Sequence, residues 1–101
     1  MKYFVFEEDG LYEEIMELPT FQSKYPLAYE KYMADNFGSD FNTGKLYALT
    51  AEHQYNEFYE LDTQYTIEQV KSVVEYDFLY CKMELLKVLG KLTKIIKSSR
   101  C

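Results

Sequence analysis

The chain opens on a dense apolar run. Tyr3, Phe4, Val5 and Phe6 carry strong β preference and predict a strand over residues 2–7. Glu8-Asp9-Gly10 reads as a turn. Leu11, Ile15 and Leu18 then recur at helical intervals, with Tyr12 and Met16 beside them. That spacing predicts a short helix over 11–18, capped by Asp9 and ended by Pro19. A longer helix is predicted over 24–37, with Ser23 as cap and Pro26 in the first turn, where its missing N–H does no harm. Its apolar face is Tyr25, Ala28, Tyr29, Tyr32, Met33 and Phe37, and Gly38 stands just past the end, where a left-handed residue is favoured.

Residues 39–44 read as a loop. Lys45–Thr50 and Tyr55–Leu61 then suit two arms of a hairpin around Ala51–Gln54. Ala51, Tyr55, Phe58 and Tyr59 also keep a helical period, so a helix is the alternative. The hairpin is preferred because the strand at 2–7 needs partners for its backbone.

The most regular pattern lies over 67–97. Thr66 and Gln69 form a capping box. Ile67, Val74, Cys81, Val88 and Ile95 recur every seven residues, and Phe78, Leu85 and Leu92 add a second sevenfold series. Together they trace the three-and-four spacing of a heptad seam. Val70, Leu79, Leu86, Leu89 and Ile96 widen it, as for a helix packed across a domain. One unbroken helix here would be ~46 Å long, against a diameter of roughly 34 Å for a compact domain of this size. It either breaks near Gly90 or projects towards a partner. The fold expected is α+β: a small antiparallel sheet, made of the N-terminal strand and a hairpin, with helices on one face and closed by a long C-terminal amphipathic helix. All 101 residues form a single domain on this reading.

Charge divides the chain. The formal net charge is −6, yet sixteen of the seventeen acids precede residue 81, and six of the eleven bases follow it. An acidic body thus carries a basic end. Apolar residues make up 48% and aromatics 18%, which excludes an acidic disordered segment. The two cysteines, Cys81 and Cys101, set no disulfide framework and fit reduced thiols in a cytoplasmic setting. Neither a signal-peptide pattern nor an apolar run long enough to span a membrane is seen.

The residues name no reaction. Glycine-rich nucleotide loops, nucleophile elbows and metalloprotease motifs are absent. The single histidine, His53, reads as a loop residue, and one His with two distant Cys cannot close a zinc site. Asp40-x-Asn42-x-Gly44 lacks the glycine and glutamate positions of a calcium loop and reads as a turn satisfying its own backbone. No metal, cofactor or catalytic residue is expected.

What stands out is grouped carboxylates interleaved with tyrosine: Glu7, Glu8, Asp9; Glu13, Glu14, Glu17; Glu52, Glu57, Glu60, Asp62, with Tyr55 and Tyr59. Carboxylates at such spacing can imitate a nucleic-acid backbone and occupy a basic cleft, and tyrosine is favoured at contact hot spots. The function expected is a non-enzymatic, acidic inhibitor of a nucleic-acid enzyme, of the phage anti-defence or nuclease-inhibitor type, binding protein rather than nucleic acid. The alternative is a structural or regulatory homodimer along the seam Val74, Phe78, Cys81, Leu85, Val88, Leu92 and Ile95.

Overall fold

The computed structural model describes residues 1–52, 56–76 and 81–95, with the side chains of 50–52 and 56 excepted. The apolar run at the start forms β1 (Lys2–Glu8). The chain then turns at once, because Asp9 (φ 52°) and Gly10 (φ 82°) both take left-handed backbone. Two such residues make the tight hairpin turn whose twist matches paired strands, and Asp-Gly is its strongest sequence signal. The segment expected to be a helix over 11–18 is therefore a strand, β2 (Leu11–Met16), antiparallel to β1. Asp9 is a turn residue, not a cap. Glu7 faces Tyr12 while Phe6 faces Glu14, so Glu13 is the extra residue of a bulge.

Pro19 starts a helix instead of ending one. It occupies the first turn of α1 (Leu18–Lys24), which buries Phe21. Ser23 lies inside α1, so it is not the cap of the next helix. That helix, α2 (Pro26–Phe37), has Pro26 in its first turn and closes on left-handed Gly38, as expected. Ala28 and Ala34 are buried, and Tyr25, Tyr29 and Tyr32 pack inward, but Phe37 is 74% exposed and leaves the predicted face.

The expected hairpin over 45–61 is half right. Its first arm belongs to a helix, α3 (Thr43–Glu52). Asn42 Oδ1 accepts the backbone N–H groups of Gly44 (2.8 Å) and Lys45 (3.3 Å) at its start, and Leu49 is fully buried. The second arm is β3 (Asn56–Thr63), which pairs antiparallel with β1 over seven residues, from Lys2–Asp62 to Glu8–Asn56. The N-terminal strand thus finds its partners on both sides without a hairpin at 45–61.

The long C-terminal helix does not form. The capping box is present: Thr66 Oγ1 accepts from Gln69 N (3.2 Å) and Gln69 Oε1 from Thr66 N (2.9 Å). The helix it starts, α4 (Ile67–Glu75), ends there. A second helix, α5 (Lys82–Leu89), is followed directly by β4 (Gly90–Lys94), antiparallel to β3. The longest dimension of the molecule is 39 Å, too short to cover the apolar stripe of a ~46 Å helix. The heptad seam is accordingly dispersed. Val74 is core, Cys81 precedes α5 and is exposed, Leu85 is half-buried, and Val88 is 82% exposed. Leu92 packs on one face of the sheet and Ile95 on the other. Phe78 lies outside the described residues, as do Leu79, Ile96 and Cys101.

The sheet has strand order β2-β1-β3-β4 and is covered on both faces rather than one. Phe4, Phe6, Met16, Phe58 and Ile95 pack with Phe21, Ala28 and Leu49 of α1–α3. Tyr3, Val5, Ile15 and Leu61 pack with Ile67, Val70, Val74 and Leu86 of α4 and α5. Being clothed on both sides explains why β1 is a continuous apolar run instead of an alternating one. The result is one compact α+β domain with a Cα radius of gyration of 13.6 Å.

Candidate functional site

Hairpin geometry gathers acids at one end of the sheet. Residues facing each other across paired strands share a face. Glu7 and Glu57 are direct partners across β1 and β3, on the face of α4 and α5. Glu8 and Glu14 lie with Phe6 on the other face, Asp9 is in the turn, and Glu13 is in the bulge. Six carboxylates therefore surround one hairpin end.

Two of them are tied down. Glu57 forms an ion pair with Lys94 and accepts the Tyr59 hydroxyl at 2.6 Å. Lys94 is the register partner of Tyr59 across β3 and β4, which is what brings it there. Burial raises the Glu57 pKa, but the hydrogen bonds from Lys94 and Tyr59 outweigh burial and hold it below the ordinary value. Burial first, then the Glu57 and Glu7 carboxylates, keeps the Tyr59 phenol protonated far above its usual range. Glu7 is only 9% exposed.

On the opposite face Glu14 accepts Lys24 Nζ at 2.9 and 3.0 Å and the Tyr25 hydroxyl at 2.5 Å. Tyr25 is held for this by stacking on Phe6, with ring centroids 5.0 Å apart. Burial again raises the Glu14 pKa and is overcome by Tyr25 and Lys24, leaving it lowered. Tyr12, opposite Glu7, has Lys82 Nζ 5.7 Å from its ring centroid. Its hydroxyl is pushed up to about 12 by burial, then by the charges of Glu75 and Glu14.

The remaining acids, Glu8, Asp9 and Glu13, are exposed, and among the described residues no lysine or arginine pairs with them. The site is thus an acidic tip: three outward carboxylates on a tight turn and bulge, backed by buried Glu7 and by Glu14 and Glu57, which tyrosines and lysines hold. Glu14 and Glu57 lie on opposite faces, with pKa values displaced in the same direction. A carboxylate pair used for acid–base chemistry needs the two values driven apart. The arrangement suits the recognition of positive charge.

Not every residue singled out by sequence joins this tip. Glu17 precedes α1 at the far end of β2. Glu60 lies under α2, 3.5 Å from Lys2 Nζ, near Tyr32, whose hydroxyl is pushed up to about 12 by burial and then by Glu60. Asp62 sits at the opposite end of β3, 3.8 Å from the amino terminus. Glu52 ends α3 with its side chain undescribed, and Tyr55 and His53 lie outside the described residues. Conversely, Tyr12, Tyr25, Lys24 and Lys94 escape the sequence reading. The Asp-Gly turn is the signal for Tyr12, since its register sets Tyr12 across from Glu7; Glu14 faces Phe6 only because of the bulge at Glu13, and no local pattern announces that bulge, Lys24 or Lys94. Among the described residues no three His, Cys, Asp or Glu side chains are grouped to hold a metal ion, and no helix is long and apolar enough to cross a membrane.

The lowered pKa values predict acid sensitivity. A carboxylate whose folded pKa is depressed stabilises the fold above its unfolded value and loses that contribution as pH falls through the folded value. With a reference of 4.5, the melting temperature should fall as pH drops below about 5. Glu14→Gln and Glu57→Gln should each flatten that fall in a pH series of thermal melts. Slopes equal to wild type would show that these contacts contribute nothing in solution.

The chain matches no known family model, no curated protein and no solved structure. No relative therefore supplies a function, and the acidic tip stands on its own chemistry.

Proposed function

We propose that this protein works without catalysis, by seating its acidic hairpin end in a basic cleft of another protein, as a mimic of the nucleic-acid backbone. The observation that carries this reading is the exposed trio Glu8, Asp9 and Glu13 on a two-residue turn and its adjoining bulge, with no cation paired to them among the described residues. Exposed charge gathered at one end of a molecule steers it towards a surface of opposite sign. Tyr12, Tyr25 and Tyr59 supply aromatic rings around the same end, the residue type most favoured in contact hot spots. The partner class that fits is a nucleic-acid enzyme, because its cleft is already shaped for a line of negative charge.

Relative to the sequence expectation, the contact surface contracts. Glu7, Glu14, Glu57 and Tyr59 support the trio, while Glu17, Glu60 and Asp62 stand apart from it.

The test is capture of binding proteins from native cell extract, with wild-type protein and with the triple variant Glu8→Lys/Asp9→Asn/Glu13→Lys as baits, asparagine being tolerated at the left-handed position of Asp9. All three side chains are exposed, so the variant should fold. Wild type is expected to retain a nucleic-acid enzyme that duplex DNA displaces, and the triple variant to bind it roughly tenfold more weakly at low salt. Equal retention by both baits would remove the hairpin end from the interface.

A further inference from the structure

The sheet ends in two unlike edges. At one, β2 is kinked by the bulge at Glu13 and carries Glu13 and Glu14. A bulge and charge on an edge strand obstruct further pairing. At the other, β4 pairs with β3 from Tyr59–Lys94 to Thr63–Gly90 with no shift in register, and its outer side meets no strand.

The hydrogen bonds fix which backbone groups lie on that outer side. Ile95 N–H donates to the Phe58 carbonyl at 2.8 Å, while Thr63 N–H turns the other way, to the Met1 carbonyl at 2.9 Å. Facing residues of antiparallel strands alternate between bonded and unbonded pairs. Lys91 and Thr93 therefore bond to β3, and Leu92 and Lys94 aim their N–H and C=O groups outward. Donors and acceptors at strand spacing are the template for one further strand. Thr93 and Ile95 share the α2 side of the sheet, where a cleft of about 520 Å³ borders β4, walled by Tyr32, Asp35 and Asn36 of α2 and by Glu60 and Thr93. It leaves room there for a polar side chain of an added strand.

Charge selects the chemistry of that strand. The chain is acidic overall, with net charge −6, but residues 82–94 set Lys82, Lys87, Lys91 and Lys94 against Glu84 alone. Lys87 and Lys94 are engaged by Glu84 and Glu57. Lys91 is exposed, and among the described residues no acid forms an ion pair with it. Asp62, across from it in register, lies 3.8 Å from the amino terminus instead. Lysine on a free edge hinders pairing with a basic strand and favours an acidic one. A nucleic acid has the charge but no row of amides to meet the edge.

We propose that the free edge of β4 takes an acidic peptide in extended form as a fifth strand, with a carboxylate of the peptide against Lys91. The edge is distinct from the exposed trio at the hairpin end and does not rest on the function proposed for it.

Fluorescence anisotropy tests this with a labelled peptide of about seven residues, alternating glutamate with threonine and blocked at both ends. Binding is expected below about 1 mM at low salt. A strand added to β4 uses every second peptide amide. Of two peptides N-methylated on alternate amides, one should bind at least about tenfold more weakly and the other as well as the parent. Lys91→Glu, at an exposed position, should weaken binding at least about tenfold with an unchanged far-UV circular dichroism spectrum. In amide exchange followed by NMR, the peptide should newly protect Leu92 and Lys94. Four results would overturn the proposal: no binding of the acidic peptide, equal affinity of the two N-methylated isomers, indifference to Lys91→Glu, or tighter binding of a single-stranded oligodeoxynucleotide than of the peptide.

Discussion

Phe21→Ala should cost the fold about 3–5 kcal/mol, the range for removing a fully buried aromatic side chain. Phe21 has no exposed surface and is the one buried residue of α1, so it is the apolar anchor of that helix. Its ring stacks on Phe4 at 4.4 Å between centroids and 8° between planes. It also meets Tyr29 at 6.3 Å, Tyr32 at 6.4 Å and Phe58 at 5.9 Å. Alanine would leave a void that four rigid rings cannot all close. A domain of this size holds about 5–15 kcal/mol in total, so urea denaturation should show a midpoint much reduced. The comparison is Phe37→Ala, where the ring is 74% exposed and the loss should stay within about 0.5 kcal/mol. A loss below about 1 kcal/mol for Phe21→Ala would mean that this side of the sheet is not packed as described.

Gly90→Ala should cost about 3 kcal/mol, at the upper end for overpacking. The reason is steric. Gly90 has extended backbone that any residue adopts, but a Cβ there would lie 2.3 Å from the Asp62 carbonyl oxygen and 2.9 Å from Thr63 Cβ. The obstruction is largely backbone, so no side chain can swing aside. β4 would have to draw away from β3, breaking the Thr63–Gly90 pairing and the 2.8 Å hydrogen bond that the Thr63 hydroxyl donates to the Leu89 carbonyl. Amide exchange should accelerate across β4 first, with the β1–β3 pairing protected longest. Uniform acceleration, or wild-type stability, would contradict the close approach of the two strands.

Gly90 also shows where the sequence could and could not be read. It is conspicuous as a break in a helical pattern, yet nothing local says that a strand follows. Leu92 and Ile95 obey the heptad spacing of Leu85 and Val88, but in and after β4 an odd separation sends the two to opposite faces of the sheet. Three-and-four spacing is therefore compatible with both outcomes. The tie is broken by the need of β3 for a second partner, which is a property of the whole fold. The same holds for Leu11, Ile15 and Leu18, whose helical interval yields to the Asp9-Gly10 turn. Elements with dense local signals were legible: the Phe-Val run of β1, Pro26 and Gly38 framing α2, and the Thr66–Gln69 box opening α4. At the site, the acids announce themselves in sequence. Which of them are neutralised does not, because Lys24 and Lys94 reach Glu14 and Glu57 only through α1 docking and the β3–β4 register.

The hairpin end is proposed to act as a surrogate for nucleic-acid backbone. Once a partner is captured, its affinity for this protein should be measured across salt concentrations, with and without duplex DNA. The mimicry predicts that binding weakens steeply as salt rises, since exposed charges are screened over about 10 Å at 0.1 M, and that DNA and protein exclude each other from the partner. Salt-independent affinity, with DNA and protein held by the partner at the same time, would contradict it.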